Sequence, residues 1–355
     1  MKILFIYSTL SFGGVESVIR DRMQILLNEG HEVWSLFFKD RDGLPLFIPF
    51  EDRVKVFPSL DEQLKMIHDI NPEWIIHFDT PDLVEEITRQ FPNSKQIYEV
   101  HTTIKRNLVA VKNNQFIRQL RAMVVPSKAQ AQLVDSITCN QIPIHVIPNG
   151  LPDYFFHPYP GVPKINEPVV FWIGRLETHK NWKGFVDIGS QVIEQVPNAR
   201  FWLIGGKQSL PEQHQMLWVM LKKLGLIDHF RWFPEVPRNR MPQLMQFVAY
   251  SGGCFLSTSR SESFGLSILE AMASGCPIVA PRLDALLELV ADGSEGILYP
   301  PGDLNSARNS VIRLITSQNT QQQMGEAARK RAGSYSVNQV VQQFLGLLIS
   351  LDGGG

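Results

Sequence analysis

Cysteine is scarce in this chain of 355 residues, which has only Cys139, Cys254 and Cys276. The three are scattered and form no C-x-x-C pair, so the sequence offers neither a disulfide framework nor a cysteine-based zinc site. Such a pattern is typical of a reducing compartment. We therefore expect a cytoplasmic protein.

An excess of charge and long apolar runs are also missing. The formal net charge is −1, so no global basic field indicates nucleic acid as a partner. The apolar run that follows Met1 ends at Ser8, which is too short for the core of a signal peptide. No window of about 18 apolar residues could span a bilayer. Peripheral contact with the inner face of a membrane stays open.

Several motifs of well-known enzyme classes are absent. There is no G-x-G-x-x-G, no P-loop and no G-x-S-x-G, which speaks against dehydrogenases, kinases and serine hydrolases. Asp40-Arg41-Asp42 matches the D-x-D pattern of some divalent-ion sites, but three-residue matches arise often by chance. No other cluster of His, Cys and carboxylates suggests a metal. We expect neither a metal nor a cofactor.

What the sequence does have is an alternation of short apolar runs and amphipathic stretches. Hydrophobic residues make up 44% of the chain and charged residues 19%, a globular composition. The runs are apolar almost throughout, as in parallel strands covered on both faces, and predict an α/β protein with doubly wound sheets. The predicted strands are residues 3–7, 32–38, 54–57, 74–78, 96–100, 123–125, 145–147, 169–173, 201–204, 230–233, 254–257, 278–280 and 297–299.

A proline-rich stretch without any period, residues 151–168, interrupts this alternation. We predict an N-terminal domain over residues 1–155, a linker over 156–168 and a second domain over 169–336. The remaining residues, 337–355, form a final helix with a short tail. Two similar halves in series predict two Rossmann-like domains that face each other across a cleft, with ligands beyond the carboxyl ends of the strands.

Glycines and polar residues follow the predicted strands of the first half. Gly13 and Gly14 come after the first strand and could bring backbone N–H groups to an anion or a sugar hydroxyl. His101 follows the strand 96–100 and could orient a sugar hydroxyl. Ser127 has the position of a helix N-cap. Turn glycines and a structural histidine explain these residues as well, and both explanations remain open.

The second half places cations where a diphosphate could bind. Gly174 and Arg175 follow the strand 169–173, and Lys180 comes five residues after Arg175. Arginine makes planar bidentate contacts and lysine supplies a mobile point charge, which together suit a diphosphate. A loop at Glu235 and Val236 could read the edge of a base through its backbone.

The most informative stretch is residues 254–275, which reads as strand, turn and helix. This geometry aims backbone N–H groups and the positive end of a helix dipole at an anion. We expect Ser263 to cap the helix and Gly265 to let a ligand approach the backbone. Glu262 lies at the turn and Glu270 about two helical turns later. The two carboxylates could hold two ends of one polar ligand.

Together these residues resemble the GT-B glycosyltransferases of the retaining family-4 type, the glycosyl transferases group 1. The resemblance rests on the early glycine pair, on His101, on Gly174-Arg175-Leu176 with Lys180-Asn181, and above all on Glu262 and Glu270 with their spacing. It covers nearly the whole chain, and its specific half is the second one.

The resemblance implies a nucleotide sugar bound mainly by the second domain. Arg175 and Lys180 would bind the diphosphate, Glu270 the ribose and Glu262 the hydroxyls of the sugar. His101 would touch the sugar and, with Glu262, Arg175 and Lys180, carry catalysis. The complete set implied for donor binding is Gly13, Gly14, Gly174, Arg175, Lys180, Glu235, Val236, Glu262, Ser263, Phe264, Gly265, Leu266 and Glu270.

The resemblance also implies an activity, transfer of a hexose with retention and without a metal. We expect UDP-glucose as the donor and a polysaccharide, a lipid-linked glycan or another cell-surface glycan as the acceptor. Two alternatives remain: a sugar-nucleotide epimerase of GT-B architecture, and a catalytically silent protein that binds a nucleotide sugar.

Overall fold

The structure is a computed structural model that describes residues 1–113, 115–139, 142–161, 165 and 167–353. It divides into two compact units. The first combines Met1–Gly150 with Tyr335–Gly355, and the second is Leu151–Ser334.

The first unit alternates strands and helices along the chain. Parallel strands form because runs such as Trp74–Phe78 are buried along their whole length. The elements are β1 (Lys2–Leu10), α1 (Gly14–Asn28), β2 (Glu32–Asp40), β3 (Val54–Val56), α2 (Leu60–Ile70), β4 (Trp74–Phe78), α3 (Pro81–Gln90), β5 (Lys95–Glu99), α4 (Lys105–Asn113), β6 (Ala122–Val125), α5 (Lys128–Thr138) and β7 (Ile144–Val146). Within the described residues, these seven strands make one parallel sheet in the order β3-β2-β1-β4-β5-β6-β7.

The second unit repeats the plan. Its elements are β8 (Val169–Ile173), α6 (Trp182–Gln195), β9 (Arg200–Ile204), α7 (Pro211–Lys223), β10 (Phe230–Phe233), α8 (Met241–Tyr250), β11 (Cys254–Leu256), α9 (Leu266–Ala273), β12 (Ile278–Pro281), α10 (Asp284–Leu287), β13 (Gly296–Tyr299), α11 (Leu304–Ile315) and α12 (Gln318–Ala332). In the part of this unit that the structure describes, six parallel strands lie in the order β10-β9-β8-β11-β12-β13. The order reverses between β8 and β11, the kind of switch point at which doubly wound sheets bind ligands. The α/β class and the doubly wound sheets predicted from the sequence are confirmed.

The last helix, α13 (Val337–Asp352), belongs to the first unit. Its buried Phe344 lies against Phe5 of β1, with 6.4 Å between ring centroids, and under the guanidinium of Arg22 at 4.9 Å. At the start of the helix, a methyl group on Gly150 would lie 2.7 Å from the Cα atom of Val337. The helix is therefore part of the core of the first unit.

The stretch predicted as a linker differs from a free connection. Residues 162–164 and 166 lie outside the described part of the chain, but the preceding residues pack on the second unit. Gln246 binds both the N–H of Tyr159 at 2.9 Å and the carbonyl of His157 at 2.7 Å. Arg329 donates to the carbonyl of Phe156. The boundary between the units consequently falls between Gly150 and Leu151, earlier than the predicted residue 155.

Among the described residues, no helix combines the length and the apolar character that crossing a membrane requires.

Candidate active site

The switch point of the second unit is built by close backbone approaches. Gly174 follows β8, and a methyl group on it would lie 2.9 Å from the Trp172 ring. Gly205 follows β9 with a φ of +98°, and a methyl group there would lie 2.7 Å from the Gly174 carbonyl oxygen. Glycine at both positions lets the two loops meet at the carboxyl edge of the sheet.

Lys180 and Glu262 meet at this edge. The Lys180 Nζ atom lies 2.7 Å from Glu262 Oε1, and the side chains are 24% and 11% exposed. The first residue comes from the loop after β8 and the second from the loop after β11, which is the neighbouring strand. The structure thus joins the predicted phosphate ligand and the predicted sugar ligand in one ion pair.

Hydrogen bonds between the same two loops hold this pair. The Thr258 hydroxyl accepts from Trp172 Nε1 at 3.0 Å and donates to the carbonyl of Asn181 at 2.9 Å. The N–H of Arg260 donates to the carbonyl of His179 at 2.7 Å. The loops are therefore also joined by the Thr258 side chain and by a backbone hydrogen bond, and do not depend on the ion pair alone.

Glu270 also forms an ion pair. Its Oε1 atom lies 2.6 Å from a terminal nitrogen of Arg238, and the two side chains are 9% and 11% exposed. Arg238 begins the 3₁₀ helix Arg238–Arg240, which follows the loop after β10. Sequence reasoning missed Arg238, because Arg238 and Arg240 both follow β10 closely and no local pattern distinguishes one from the other.

The start of α9 corrects one prediction. Gly265, not Ser263, is the N-cap, with a φ of +95° and no side chain that caps the helix. Ser263 lies in the turn before it, where the left-handed glycine changes the chain direction. Phe264 is buried, and Leu266 is the first helical residue. A methyl group on Gly265 would lie 2.7 Å from a methyl group of Leu286, so this turn is tightly packed.

Two further predicted donor ligands point to other partners. The side chain of Arg175 is 63% exposed, and its guanidinium lies 3.0 Å from the Glu177 carboxylate. Glu235, next to Val236, lies 2.9 Å from Lys207. Arg175 would therefore have to leave Glu177 to reach a phosphate held by Lys180.

His179 lies beside Lys180 in the sequence. Burial of its imidazole, followed by the positive charge of Lys180, lowers the pKa of His179.

The glycine pair of the first unit begins α1. Gly13 is the N-cap with an extended backbone, and its carbonyl accepts from the N–H of Ser17 at 3.1 Å. Gly14 is the first helical residue. The buried Glu16 carboxylate lies beside Gly13 and accepts from Ser11. A carboxylate in this place favours hydroxyl groups over phosphate as neighbours of the glycine pair.

His101 lies at the end of β5 in a buried polar network. Its Nε2 atom lies 3.1 Å from Glu99, its ring stacks on Phe78 at 5.5 Å, and its side chain is 6% exposed. Glu99 in turn pairs with Arg22. The backbone N–H of His101 donates to the Asp79 carboxylate at 3.0 Å, and burial raises the pKa of that carboxyl.

The D-x-D residues form a turn. Asp40 accepts from the N–H of Gly43 at 3.1 Å, and Asp42 has a φ of +61°. Among the described residues, no three His, Cys, Asp or Glu side chains are grouped as a metal site would require.

Comparison with known proteins identifies the family of the domain that contains this site. Residues 160–331 match the model of the family described as glycosyl transferases group 1. The chain carries a glycosyl transferases group 1 domain. The match contains Lys180, Glu262 and Glu270, and it confirms the resemblance noted in the sequence.

Curated relatives of the group 1 domain match about half of the chain. Sulfoquinovosyl transferase SQD2 of Arabidopsis thaliana is 29% identical over 48% of this chain and 31% of its own length. D-inositol 3-phosphate glycosyltransferase of Corynebacterium urealyticum is 28% identical over 54% and 45%. Mannosylfructose-phosphate synthase of Agrobacterium fabrum is 26% identical over 58% and 47%. The chain thus spans a third to a half of the length of these relatives.

Solved structures match along the whole chain. Alr3699/HepE of Anabaena, in complex with UDP and glucose, gives a TM-score of 0.82 at 21% identity, covering 99% of this chain and 100% of that one. Sucrose-phosphate synthase of Thermosynechococcus elongatus gives 0.84 at 17% identity, covering 99% of both. These likenesses confirm the GT-B fold class around the group 1 domain.

Proposed function

We propose that the protein is a retaining glycosyltransferase that moves a hexose from a UDP-sugar to a glycan acceptor, and that this hexose is glucose. One observation carries this proposal. A group 1 domain places a lysine and a glutamate in contact at its switch point, with a second glutamate farther along the same turn and helix. The choice of donor is supported by the UDP and glucose bound to Alr3699/HepE.

The Lys180–Glu262 pair would exchange partners when the donor binds. A diphosphate attracts the Lys180 ammonium more strongly than one carboxylate does, because it carries more negative charge. Glu262 would then accept hydrogen bonds from sugar hydroxyls. As the bond to the leaving phosphate breaks, charge builds on the phosphate and Lys180 stabilises it. Glu270 would accept from the ribose hydroxyls.

Retention of configuration is the stereochemical part of the proposal. The acceptor hydroxyl attacks the anomeric carbon on the face from which the phosphate departs, and that phosphate takes up the hydroxyl proton. The anomeric coupling constant of the product in ¹H NMR tests this step. A product of inverted configuration, or a covalent glycosyl-enzyme species, would contradict it.

The acceptor, the cellular location and the metal requirement complete the proposal. We propose a polysaccharide, a lipid-linked glycan or another cell-surface glycan as the acceptor, and a cytoplasmic enzyme that contacts the membrane surface. We also propose that transfer needs no metal ion, because Lys180 supplies the positive charge that a metal would otherwise bring to the diphosphate.

Nucleotide release from UDP-, GDP-, ADP- and TDP-sugars, measured with EDTA present, tests the proposal. The variants are Lys180→Ala and Glu262→Ala. Lys183→Ala and Glu194→Ala are matched controls, because both residues are exposed on α6. Slow release from one donor, unaffected by EDTA and lost in the two site variants only, is the expected result.

Binding measurements with the same nucleotides decide the case in which nothing is released. Wild-type protein that binds one nucleotide but loses binding in Lys180→Ala retains the donor site and requires its acceptor for turnover. Wild-type protein that binds no nucleotide contradicts the proposed function.

A further inference from the structure

Arg238 is a buried cation that forms an ion pair with Glu270, a residue proposed to bind substrate. Its terminal nitrogen lies 2.6 Å from Glu270 Oε1, and both side chains are about nine-tenths buried. A charge-assisted hydrogen bond in such a dry place is short and strong, and it restricts the torsion angles of the carboxylate. Glu270 is therefore held in one orientation by Arg238.

Arg238 is itself held in place from two sides. Its guanidinium lies over the ring of Phe155, 5.3 Å from the ring centroid, and that phenylalanine is completely buried. Its backbone begins a 3₁₀ helix directly after Pro237. Proline fixes φ, so the direction in which the arginine leaves the loop is restricted before any ligand arrives.

The loop before Arg238 is the one proposed to read the base. It runs from Pro234 through Glu235 and Val236 to Pro237, and the Pro234 carbonyl accepts from the N–H of Lys207 at 3.1 Å. Arg238 thus connects this loop with the carboxylate proposed for the ribose. A carboxylate offers about four lone-pair sites. Glu270 can therefore keep Arg238 on Oε1 and still accept from ribose hydroxyls.

We infer that Arg238 is a positioning residue that orients Glu270 toward the ribose and so makes the site select ribonucleotides over 2′-deoxyribonucleotides. The inference rests on the proposed function, since it deepens the donor site described above. Arg238 acts through Glu270 and not by touching the nucleotide.

Binding of UDP and 2′-deoxy-UDP to the full chain, with GDP and 2′-deoxy-GDP in parallel, tests the inference by calorimetry. The wild type is expected to bind the deoxy compound about 10- to 100-fold more weakly, the range for a hydrogen bond to a charged group. Glu270→Gln and Arg238→Met are expected to reduce this ratio to about threefold or less. Arg238→Lys, which keeps a charge but loses the planar fork, is expected to fall between them.

Two controls separate positioning from general damage. Arg240→Met removes an exposed arginine of the same 3₁₀ helix and should leave the ratio unchanged. Lys180→Ala should weaken both nucleotides equally, because the phosphates are common to them. If Arg238→Met does not fold, as judged by near-ultraviolet circular dichroism, Arg238→Lys decides the question.

Each outcome has one meaning. A ratio that stays at the wild-type value in the Arg238 variants, even with a lower melting temperature, overturns the inference and leaves the proposed function intact. Equal binding of the ribo and deoxy compounds by the wild type overturns the ribose role of Glu270 and the inference with it. Failure of the wild type to bind any of the nucleotides rejects the proposed function itself.

Discussion

Gly265 shows how much depends on one missing side chain. Its left-handed φ is unfavourable for other residues by about 1–2 kcal/mol, and a methyl group there would crowd Leu286 at 2.7 Å. Gly293 has a similar φ of +83° but nothing within 4 Å of an added methyl group. A comparison of alanine substitutions at the two glycines therefore separates the cost of backbone strain from the cost of crowding.

Gly265→Ala is expected to lower the free energy of unfolding more than Gly293→Ala does. Both variants carry the backbone cost, and the first adds about 1–3 kcal/mol for overpacking. Urea denaturation measures the difference. Equal losses in the two variants would show that Leu286 moves away freely and that the turn before α9 is not tightly packed.

Arg22 and Glu99 are a completely buried ion pair, so removal of one partner leaves an uncompensated charge. Burial raises the pKa of Glu99, but Arg22 and His101 more than offset that effect and hold the pKa below its ordinary value. A lowered pKa in the folded state contributes stability above the ordinary pKa, near 4.5, and this contribution is lost as the pH falls through the folded value. The wild-type pair is therefore intact at both pH 7.5 and pH 5.

Arg22→Met is expected to cost about 3–5 kcal/mol of unfolding free energy at pH 7.5. The loss should shrink at pH 5, because burial without Arg22 raises the pKa of Glu99 and the carboxyl takes up a proton. Denaturant unfolding at the two pH values checks this, with Gln24→Met as the control on the same helix, because the hydrogen bond of Gln24 to Asn28 is exposed. A loss that is equal at both pH values would show that packing, and not charge, is what Arg22 supplies.

At the scale of elements, α13 is the last helix of the chain and yet part of the first core. Phe344→Ala should cost about 3–5 kcal/mol, the usual effect of truncating a buried phenylalanine. Ile349, 63% exposed on the same helix, should be replaceable by alanine within about 0.5 kcal/mol. Thermal melting of the two variants compares them. Similar melting temperatures would mean that α13 packs only loosely on β1.

The strands were predictable from the sequence because parallel strands are apolar on both faces. Trp74–Phe78 and Val169–Ile173 coincide with their predictions, and the others differ only at their ends. Ser127 was predicted as an N-cap and accepts from the N–H of Gln130 at 3.0 Å. The cap of α9 was predicted wrongly, because a serine near a helix start is the commoner signal. Only the backbone angle of Gly265 reveals the true cap.

Side-chain partners were much less predictable than elements. Lys180 and Glu262 were each singled out, but their contact depends on β8 and β11 being neighbours, which is a property of the sheet order. Arg238 was missed because it meets Glu270 across 32 residues of sequence. Local periodicity holds no information about such a contact. Arg175 was assigned to the diphosphate by its spacing from Lys180, and its position against Glu177 could not be read from that spacing.

At the scale of the whole molecule, the predicted donor ligands divide between the two units. Lys180, Glu262 and Glu270 belong to the second unit, whereas Gly14 and His101 belong to the first. The residues proposed for phosphate, ribose and sugar, which are Lys180, Glu270 and Glu262, thus all lie in the second unit. We therefore expect both UDP and the UDP-sugar to affect the second unit, with the sugar adding its effect around Glu262.

Hydrogen–deuterium exchange with UDP and with the full UDP-sugar tests this expectation. UDP alone should slow exchange at residues 174–181, 234–238 and 258–270, because bound ligand stabilises the segments that it contacts. The full sugar nucleotide should deepen the protection at residues 258–265, around Glu262. The Glu262→Ala variant should lose this additional protection while keeping that of UDP. Equal protection by UDP and by the sugar nucleotide would remove Glu262 from the sugar-binding residues and leave Lys180 and Glu270 as the basis of the donor site.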